Sequence, residues 1–271
     1  MHALFRRSQH TLCLIACISL TAMFAHAQQT AASIRFDDSS KTFRIDGTGV
    51  SYVFGVNNRN ELQPIYWGAR LSASDTFPQP HAAPEVSAFD LSTSTTPQEF
   101  AGWGAGLFVE PALKITFPDG NRDLVLHYVS HHIDGGALTV RLKDIERDVF
   151  VDLRYEIDPT TGVLGRSAVI ENQTKTALII EQAAAATWTL PHGTDYTLDY
   201  LTGRWAGEDQ LHQEKIIPGA RVLESRRGST GNQNDPWFAV ERAHTGDQDA
   251  GEVWFGALAW SGSWRITVNG A

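Results

Sequence analysis

Between Val149 and Ile157 apolar and polar side chains alternate, with Val149, Val151, Leu153, Tyr155 and Ile157 on one face of an extended chain and Phe150, Asp152, Arg154 and Glu156 on the other. A period of two marks a half-buried strand. Asp158-Pro159-Thr160-Thr161-Gly162 is built from turn residues and leads into Val163 to Glu171, so the two runs predict an antiparallel hairpin. Leu113 to Phe117, the turn Pro118-Asp119-Gly120-Asn121 and Leu124 to Ile133 repeat the scheme. Further strands are predicted at Thr42 to Ile45, Tyr52 to Val56, Leu62 to Trp67, Leu178 to Leu190, Tyr196 to Trp205, Val253 to Trp260 and Arg265 to Val268. The one helix candidate, Ala183 to Ala186, is flanked by strand formers and reads as a small-residue stretch within a strand. Many short strands separated by Gly, Pro, Asn and Asp predict an all-β fold, a large antiparallel sandwich of two sheets.

Two segments break the pattern. Ser72 to Phe100 is rich in Ser, Thr, Ala and Pro without periodicity, and a loop of that length inside a domain is either functional or disordered. At the start of the chain, Arg6 and Arg7 precede an apolar run from Leu12 to Phe24 and the small-x-small triplet Ala25-His26-Ala27. This is the signature of a secretory signal peptide, residues 1–27, with the mature domain at 28–271 beginning on Gln28. The apolar run falls short of the roughly 20 residues that cross a bilayer. No membrane partner is expected, and the mature chain is placed in the periplasm or outside the cell.

Both cysteines, Cys13 and Cys17, lie in that leader, which leaves the mature chain without a disulfide or a cysteine metal site. Removing the leader takes two basic residues and no acidic one, so 20 basic and 31 acidic residues remain, a net charge of −11 with neutral histidines. So strong an anion repels phosphate backbones, and nucleic acid is excluded as a partner.

Candidate chemistry is sparse. Retaining glycoside hydrolysis needs two carboxyl groups about 5 Å apart. Asp37-Asp38 and Glu208-Asp209 are adjacent in sequence and, if extended, point to opposite faces. His127 and His131 share strand parity but stand about 13 Å apart along a strand, and His132 takes the other face; surface or core histidines are expected, not a metal site. Asn172-Gln173-Thr174 has the form of a glycosylation sequon but is accounted for as a turn. The eight tryptophans, all in the mature part, suit core and interface positions, with stacking on sugars as the alternative use.

Six segments in one order resemble the N-terminal domain of glycoside hydrolase family 36, the bacterial α-galactosidases or melibiases. They are Ile65-Tyr66-Trp67-Gly68-Ala69-Arg70-Leu71; Gly104-Ala105-Gly106 through Glu110-Pro111-Ala112; Tyr128-Val129-Ser130-His131; Ile170-Glu171-Asn172-Gln173; Leu201-Thr202-Gly203-Arg204-Trp205; and Glu224-Ser225-Arg226-Arg227-Gly228. The resemblance implies a β-supersandwich of the galactose-mutarotase type. It also implies that the catalytic aspartates lie on a following (β/α)₈ barrel that this chain does not contain. No catalytic residue, no metal and no cofactor is therefore expected here. The implied function is a non-catalytic domain of a retaining α-galactosidase acting on melibiose or raffinose-type α-galactosides, homo-oligomeric when full length. In tetrameric members the loop after the Tyr-aromatic-Gly strand reaches a neighbouring active site, which makes Asp75 the residue placed to contact sugar. The chain departs from the family pattern at Leu107 and Val109, where members often carry Asp and Arg, and at Asn232 and Asp235, where many place His and Asn. Two other readings remain: a stand-alone carbohydrate-binding module, and a mutarotase-like epimerase needing two histidines and a carboxylate in one concave site. If the domain normally docks on others, it should also carry an exposed apolar surface, and the Ser72 to Phe100 loop should be poorly ordered.

Overall fold

The computed structural model describes residues 32–83, 96–104, 109–242 and 251–270. The expected signal peptide, Leu107 and part of the long loop lie outside them. The described part opens with a four-stranded antiparallel meander, β1 (Ser33–Asp37), β2 (Thr42–Asp46), β3 (Val50–Val56) and β4 (Leu62–Ala69). After β5 (Leu113–Thr116) comes a second meander, β6 (Leu126–Asp134), β7 (Ala137–Asp144), β8 (Val149–Ile157) and β9 (Leu164–Asn172), and then β10 (Ile179–Ala183), which pairs with β5. The remainder comprises β11 (Tyr196–Arg204), β12 (Gly207–Lys215), β13 (Gly219–Ser225), β14 (Trp237–Arg242), β15 (Val253–Ala257) and β16 (Trp264–Gly270). Of these, β12-β11-β14-β15 form a sheet in that order and β13-β16 a ribbon. All paired strands are antiparallel, and there is no helix among the described residues. The all-β antiparallel expectation is met.

Local sequence explains the best-formed parts. β8 matches the predicted run, and the five residues of its inward face are all buried. In the hairpin that follows, Asp158 accepts from the amides of Thr160 (2.9 Å) and Thr161 (2.6 Å), while Gly162 takes a φ of 74°, which side chains disfavour. The second hairpin is a correction. The turn at Pro118-Asp119-Gly120-Asn121 closes, with Phe117 N donating to Asn121 O at 2.9 Å, but the flanking runs do not pair. Leu124 N is taken by Trp103 O and Val125 N by the Asp144 carboxylate, which draws the chain away to the second meander. There β6 pairs with β7 across the two-residue turn Gly135-Gly136. The predicted strand Leu178 to Leu190 also ends early, at Ala183, because Thr187 and Trp188 turn into the core.

Two apolar cores result. In the first, the inward residues of the two meanders meet, for example Phe54 stacked on Tyr155 at 5.0 Å between ring centres. The second lies between the β11 sheet and the β13-β16 ribbon, around Leu198, Val240, Trp254 and Trp264. Trp67 packs against both cores, stacking on Trp188 at 4.6 Å while its carbonyl accepts the Trp254 indole N–H at 3.1 Å.

At the centre of the first core sits an ion pair. Glu99 and Arg166 meet at 2.8 Å with side chains 1% and 3% exposed. The Glu99 carboxylate also accepts the hydroxyls of Tyr52 (2.7 Å) and Tyr155 (2.9 Å). Its backbone carbonyl takes Thr187 Oγ1 at 2.7 Å, and the guanidinium lies 4.3 Å from the Trp188 ring centre. Burial first and the Glu99 charge second hold both phenols well above their ordinary pKa, so they stay neutral donors. Burial also opposes the Arg166 charge, but Glu99 and the two phenols outweigh it and keep the guanidinium's pKa above its ordinary value.

Removing one partner of such a pair leaves an uncompensated buried charge. Glu99→Gln should therefore lower the unfolding free energy by about 3–5 kcal/mol, read as a fall in the urea midpoint. The double replacement Glu99→Leu with Arg166→Met should cost less than the two single changes added together. Additive losses would show that the two side chains are not coupled.

Candidate functional site

Strand β2 reads Thr-Phe-Arg-Ile-Asp, and all five residues are buried. Phe43 and Ile45 face the first core, so Thr42, Arg44 and Asp46 face the other side. An arginine there needs both a counter-ion and acceptors for its remaining N–H groups. Asp46 supplies the first, 2.8 Å from Arg44 Nε. The start of the long loop supplies the second: Arg44 donates to the carbonyls of Leu71 (2.8 Å), Ser72 (2.9 Å) and Asp75 (3.2 Å). Ser51, opposite Asp46 in the ladder, donates to that carboxylate and accepts the amide of Leu71 at 3.0 Å. Residues 71–75 are thus drawn into a hook over a buried guanidinium.

The carboxylate at the tip of the hook is that of Asp75. It closes its own turn by accepting the amide of Ser72 at 2.8 Å, and the residue is exposed. Tyr66 lies beside it on β4, on the face opposite Trp67, with its ring 6.4 Å from that of Phe77 and its hydroxyl donating to Ala69 O at 2.8 Å. Partial burial, then the charges of Glu252 and Asp75, raise the Tyr66 pKa. The structure therefore gathers Tyr66, Phe77, Asp75 and Glu252 on one surface. An exposed carboxylate beside two aromatic rings is suited to hydroxyl-rich ligands, which offer C–H faces to the rings and O–H donors to the oxygen. Sequence reasoning singled out Asp75 and missed its anchor, although a charged Arg-x-Asp on one face of an otherwise apolar strand was there to be read.

The rest of the long loop is fixed at both described ends. Gln79 donates to Val56 O at 3.2 Å, Ala82 N to Asn58 at 2.7 Å, Ala83 N to Thr96 at 2.7 Å and Glu99 N to Leu62 O at 2.8 Å. Residues 84–95 lie outside the described part.

The histidines do not converge. A bulge in β6 between Tyr128 and Ser130 reverses the parity, so His127 pairs opposite Lys143 on the outer face while His131 joins Tyr128 on the inner one. His131 Nδ1 lies 2.8 Å from the Tyr128 hydroxyl, and its ring packs 4.3 Å from Phe36. Burial lowers its pKa, so the ring is neutral near pH 7. Among the described residues no three His, Cys, Asp or Glu side chains form a metal-holding group. Asp37 caps a turn and Asp38 pairs with Lys41 at 2.6 Å. Glu208 accepts from Ala206 N at 3.0 Å, while burial and then neighbouring Asp209 raise the pKa of Asp235. Asn172 spends its amide on Thr176 O at 2.8 Å and its oxygen on Thr174, as a turn residue does. Asn232 donates to Glu208 at 3.3 Å, and Val109 is exposed. Of the tryptophans, Trp254 and Trp264 are buried, whereas Trp205 is 89% and Trp260 62% exposed.

Residues 60–270 match the model of the glycosyl hydrolase family 36 N-terminal domain. The chain is 26% identical over 267 residues to the α-galactosidase Mel36A of Lactobacillus acidophilus, an alignment taking in 89% of this chain and 36% of that protein. It resembles the crystal structure of the α-galactosidase AgaB from Geobacillus stearothermophilus with a TM-score of 0.77 at 25% identity, covering 88% of this chain and 36% of that one. A variant of the α-galactosidase AgaA from the same organism, in complex with raffinose, gives a TM-score of 0.73 at 25% identity over 84% of this chain and 35% of that one. The chain thus spans about a third of the length of these relatives.

If Arg44 organises the hook, Arg44→Lys should loosen it, since one ammonium cannot reach three carbonyls and Asp46 at once. The amides of Ser72 and Asp75 are expected to exchange hydrogen at least about tenfold faster, with a loss of about 1–3 kcal/mol in stability. Unchanged exchange at both amides would show that the hook holds itself.

Proposed function

Because the chain belongs to glycosyl hydrolase family 36 and matches its N-terminal domain, we propose that it is the non-catalytic domain of a retaining α-galactosidase, serving assembly and the walls of the substrate pocket. The observation that carries this reading is the match of nearly the whole described sandwich to the N-terminal third of α-galactosidases. The chemistry is assigned to a barrel outside this chain, with water as acceptor and no cofactor.

The substrates proposed are terminal α-galactosides of the melibiose and raffinose type, in keeping with the raffinose complex of a relative. Asp75 on its hook would contact the sugar in a neighbouring subunit of a homo-oligomer. Export to the periplasm or beyond is proposed from Arg6, Arg7, the Leu12 to Phe24 run and Ala25-His26-Ala27. The exposed Trp205 and Trp260 favour the second reading, a self-sufficient carbohydrate-binding module.

Purified chain should release no nitrophenol from 4-nitrophenyl α-galactopyranoside above buffer. Turnover that scales with chain concentration and survives repurification would place a catalytic pair within the sandwich. Intact-mass measurement of exported protein should find Gln28 at the N-terminus; an uncleaved product retained in the cytoplasm would refute the export proposal.

A further inference from the structure

The inner face of the first meander ends in an open hollow where it meets β6. Phe36 pairs with Phe43 across β1 and β2, so both rings lie on the face turned away from Arg44 and its hook. From β6, Tyr128 and His131 reach the same place. They stand three residues apart and would fall on opposite faces of a regular strand, but the bulge between Tyr128 and Ser130 puts them on one. The hollow encloses about 260 Å³ and is completed by Asp38, Lys41, Asn60 and Gln79. That volume falls just under the ~300 Å³ at which small-ligand sites begin, room for one ring and not for a chain of them.

The backbone around the hollow is held in unusual conformations. Two of the four non-glycine residues with positive φ among the described ones, Lys41 at 53° and Asn60 at 61°, line it. Lysine rarely adopts that conformation, and it persists here because the Lys41 carbonyl accepts the Val56 amide at 2.9 Å. Asn60 is tied to β6 at two points: its carbonyl accepts the Tyr128 amide at 2.8 Å, and its side-chain amide donates to Tyr128 O at 2.9 Å. A bulge and two left-handed residues around one hollow make the strained, over-determined framework that fixes side chains for a ligand.

The polar rim is mixed and its charge balanced. Lys41 donates to Asp38 at 2.6 Å, with the carboxylate side chain 87% exposed. Among the described residues neither charged group makes another hydrogen bond through its side chain, so two ammonium hydrogens and Asp38 Oδ2 remain for a ligand. Burial first, then Lys41 and Asp38 in opposite directions, act on the Tyr128 hydroxyl, which places both charges at close range. His131 engages that hydroxyl through Nδ1 and keeps Nε2; neutral near pH 7, it adds no charge. An anion and a cation alike find their counter-charge already paired. A purely apolar ligand would strip water from the ion pair without replacing its hydrogen bonds. A neutral pyranose has hydroxyls for the rim and a C–H face for the half-buried Phe36 and Tyr128 rings.

We infer that this hollow binds one neutral hexopyranose, held by Asp38, Lys41 and His131 against the Phe36 and Tyr128 rings. The site goes beyond the domain role proposed above, and only the choice of galactose as first probe rests on that reading.

Titrating the isotope-labelled full chain with D-galactose should shift the amides of Phe36, Asn60 and His131 saturably in the millimolar range. D-galacturonate, the same ring with a carboxylate, is expected to bind at least about tenfold more weakly, because Asp38 already holds the cation it would need. Asp38→Asn changes an exposed residue, removes an acceptor and frees Lys41, so galactose should lose at least about fivefold while galacturonate gains. The comparison of the two sugars on the unaltered chain decides the matter without any variant. No saturation at these three amides by any neutral hexose, or galacturonate binding as tightly as galactose, overturns the inference, and so does equal binding of cyclohexanol, which would mark a merely apolar hole. Saturation by D-glucose in place of D-galactose supports the pyranose site and counts against the galactoside reading. Release of nitrophenol is a separate readout, so the two can fail independently.

Discussion

The buried pair of Glu99 and Arg166 is the constraint on which the larger sandwich depends. A carboxylate and a guanidinium removed from water are tolerated only if every remaining donor and acceptor is matched. Matching them draws in Tyr52 from β3, Tyr155 from β8 and Thr187 with Trp188 from the segment after β10. The β8-β9 hairpin and three stretches distant from it in sequence are thereby fixed at one point. Trp188 carries the constraint outward to Trp67, and Trp67 to Trp254 in the second core, so the two halves share an aromatic seam.

How much of this was legible in the sequence depended on distance along the chain. β8 and its Asp158 turn follow from alternation and local hydrogen bonds, and both formed as expected. The pairing of β5 with β10 depends on partners more than sixty residues apart and left no local mark. β12 carries polar side chains on both faces, so its alternation was invisible. β7 has a readable period-two pattern and a Gly135-Gly136 turn, yet it is absent from the strands that alternation predicted. The candidate site shows the same division. Asp75 stood out as an acidic residue after an aromatic strand, but its anchor Arg44 lies on another strand 31 residues away. Glu99 was hidden inside a segment without periodicity, where nothing distinguishes a core carboxylate from a loop one.

The acidic composition also takes on a structural meaning. Three settings of carboxylates stand out among the described residues: beside a buried cation, as at Glu99 and Asp46; on backbone amides, as at Asp158; and beside a second carboxyl, as at Asp199. The first two contribute to the folded state by themselves. The third is left incomplete within the described chain, and it lies on the face richest in exposed apolar side chains of its sheet.

The bulge at Val129 has a consequence for solubility at high concentration. β6 is the edge of its sheet, and a regular edge of nine residues offers unpaired backbone groups to any passing strand. An extra residue without a ladder partner twists that edge and spoils it as a template for aggregation. β15, an edge of the β12-β11-β14-β15 sheet that carries Phe255 and Val253, keeps a regular register along its whole length. Of these two edges, it is the one on which uncontrolled strand addition would begin.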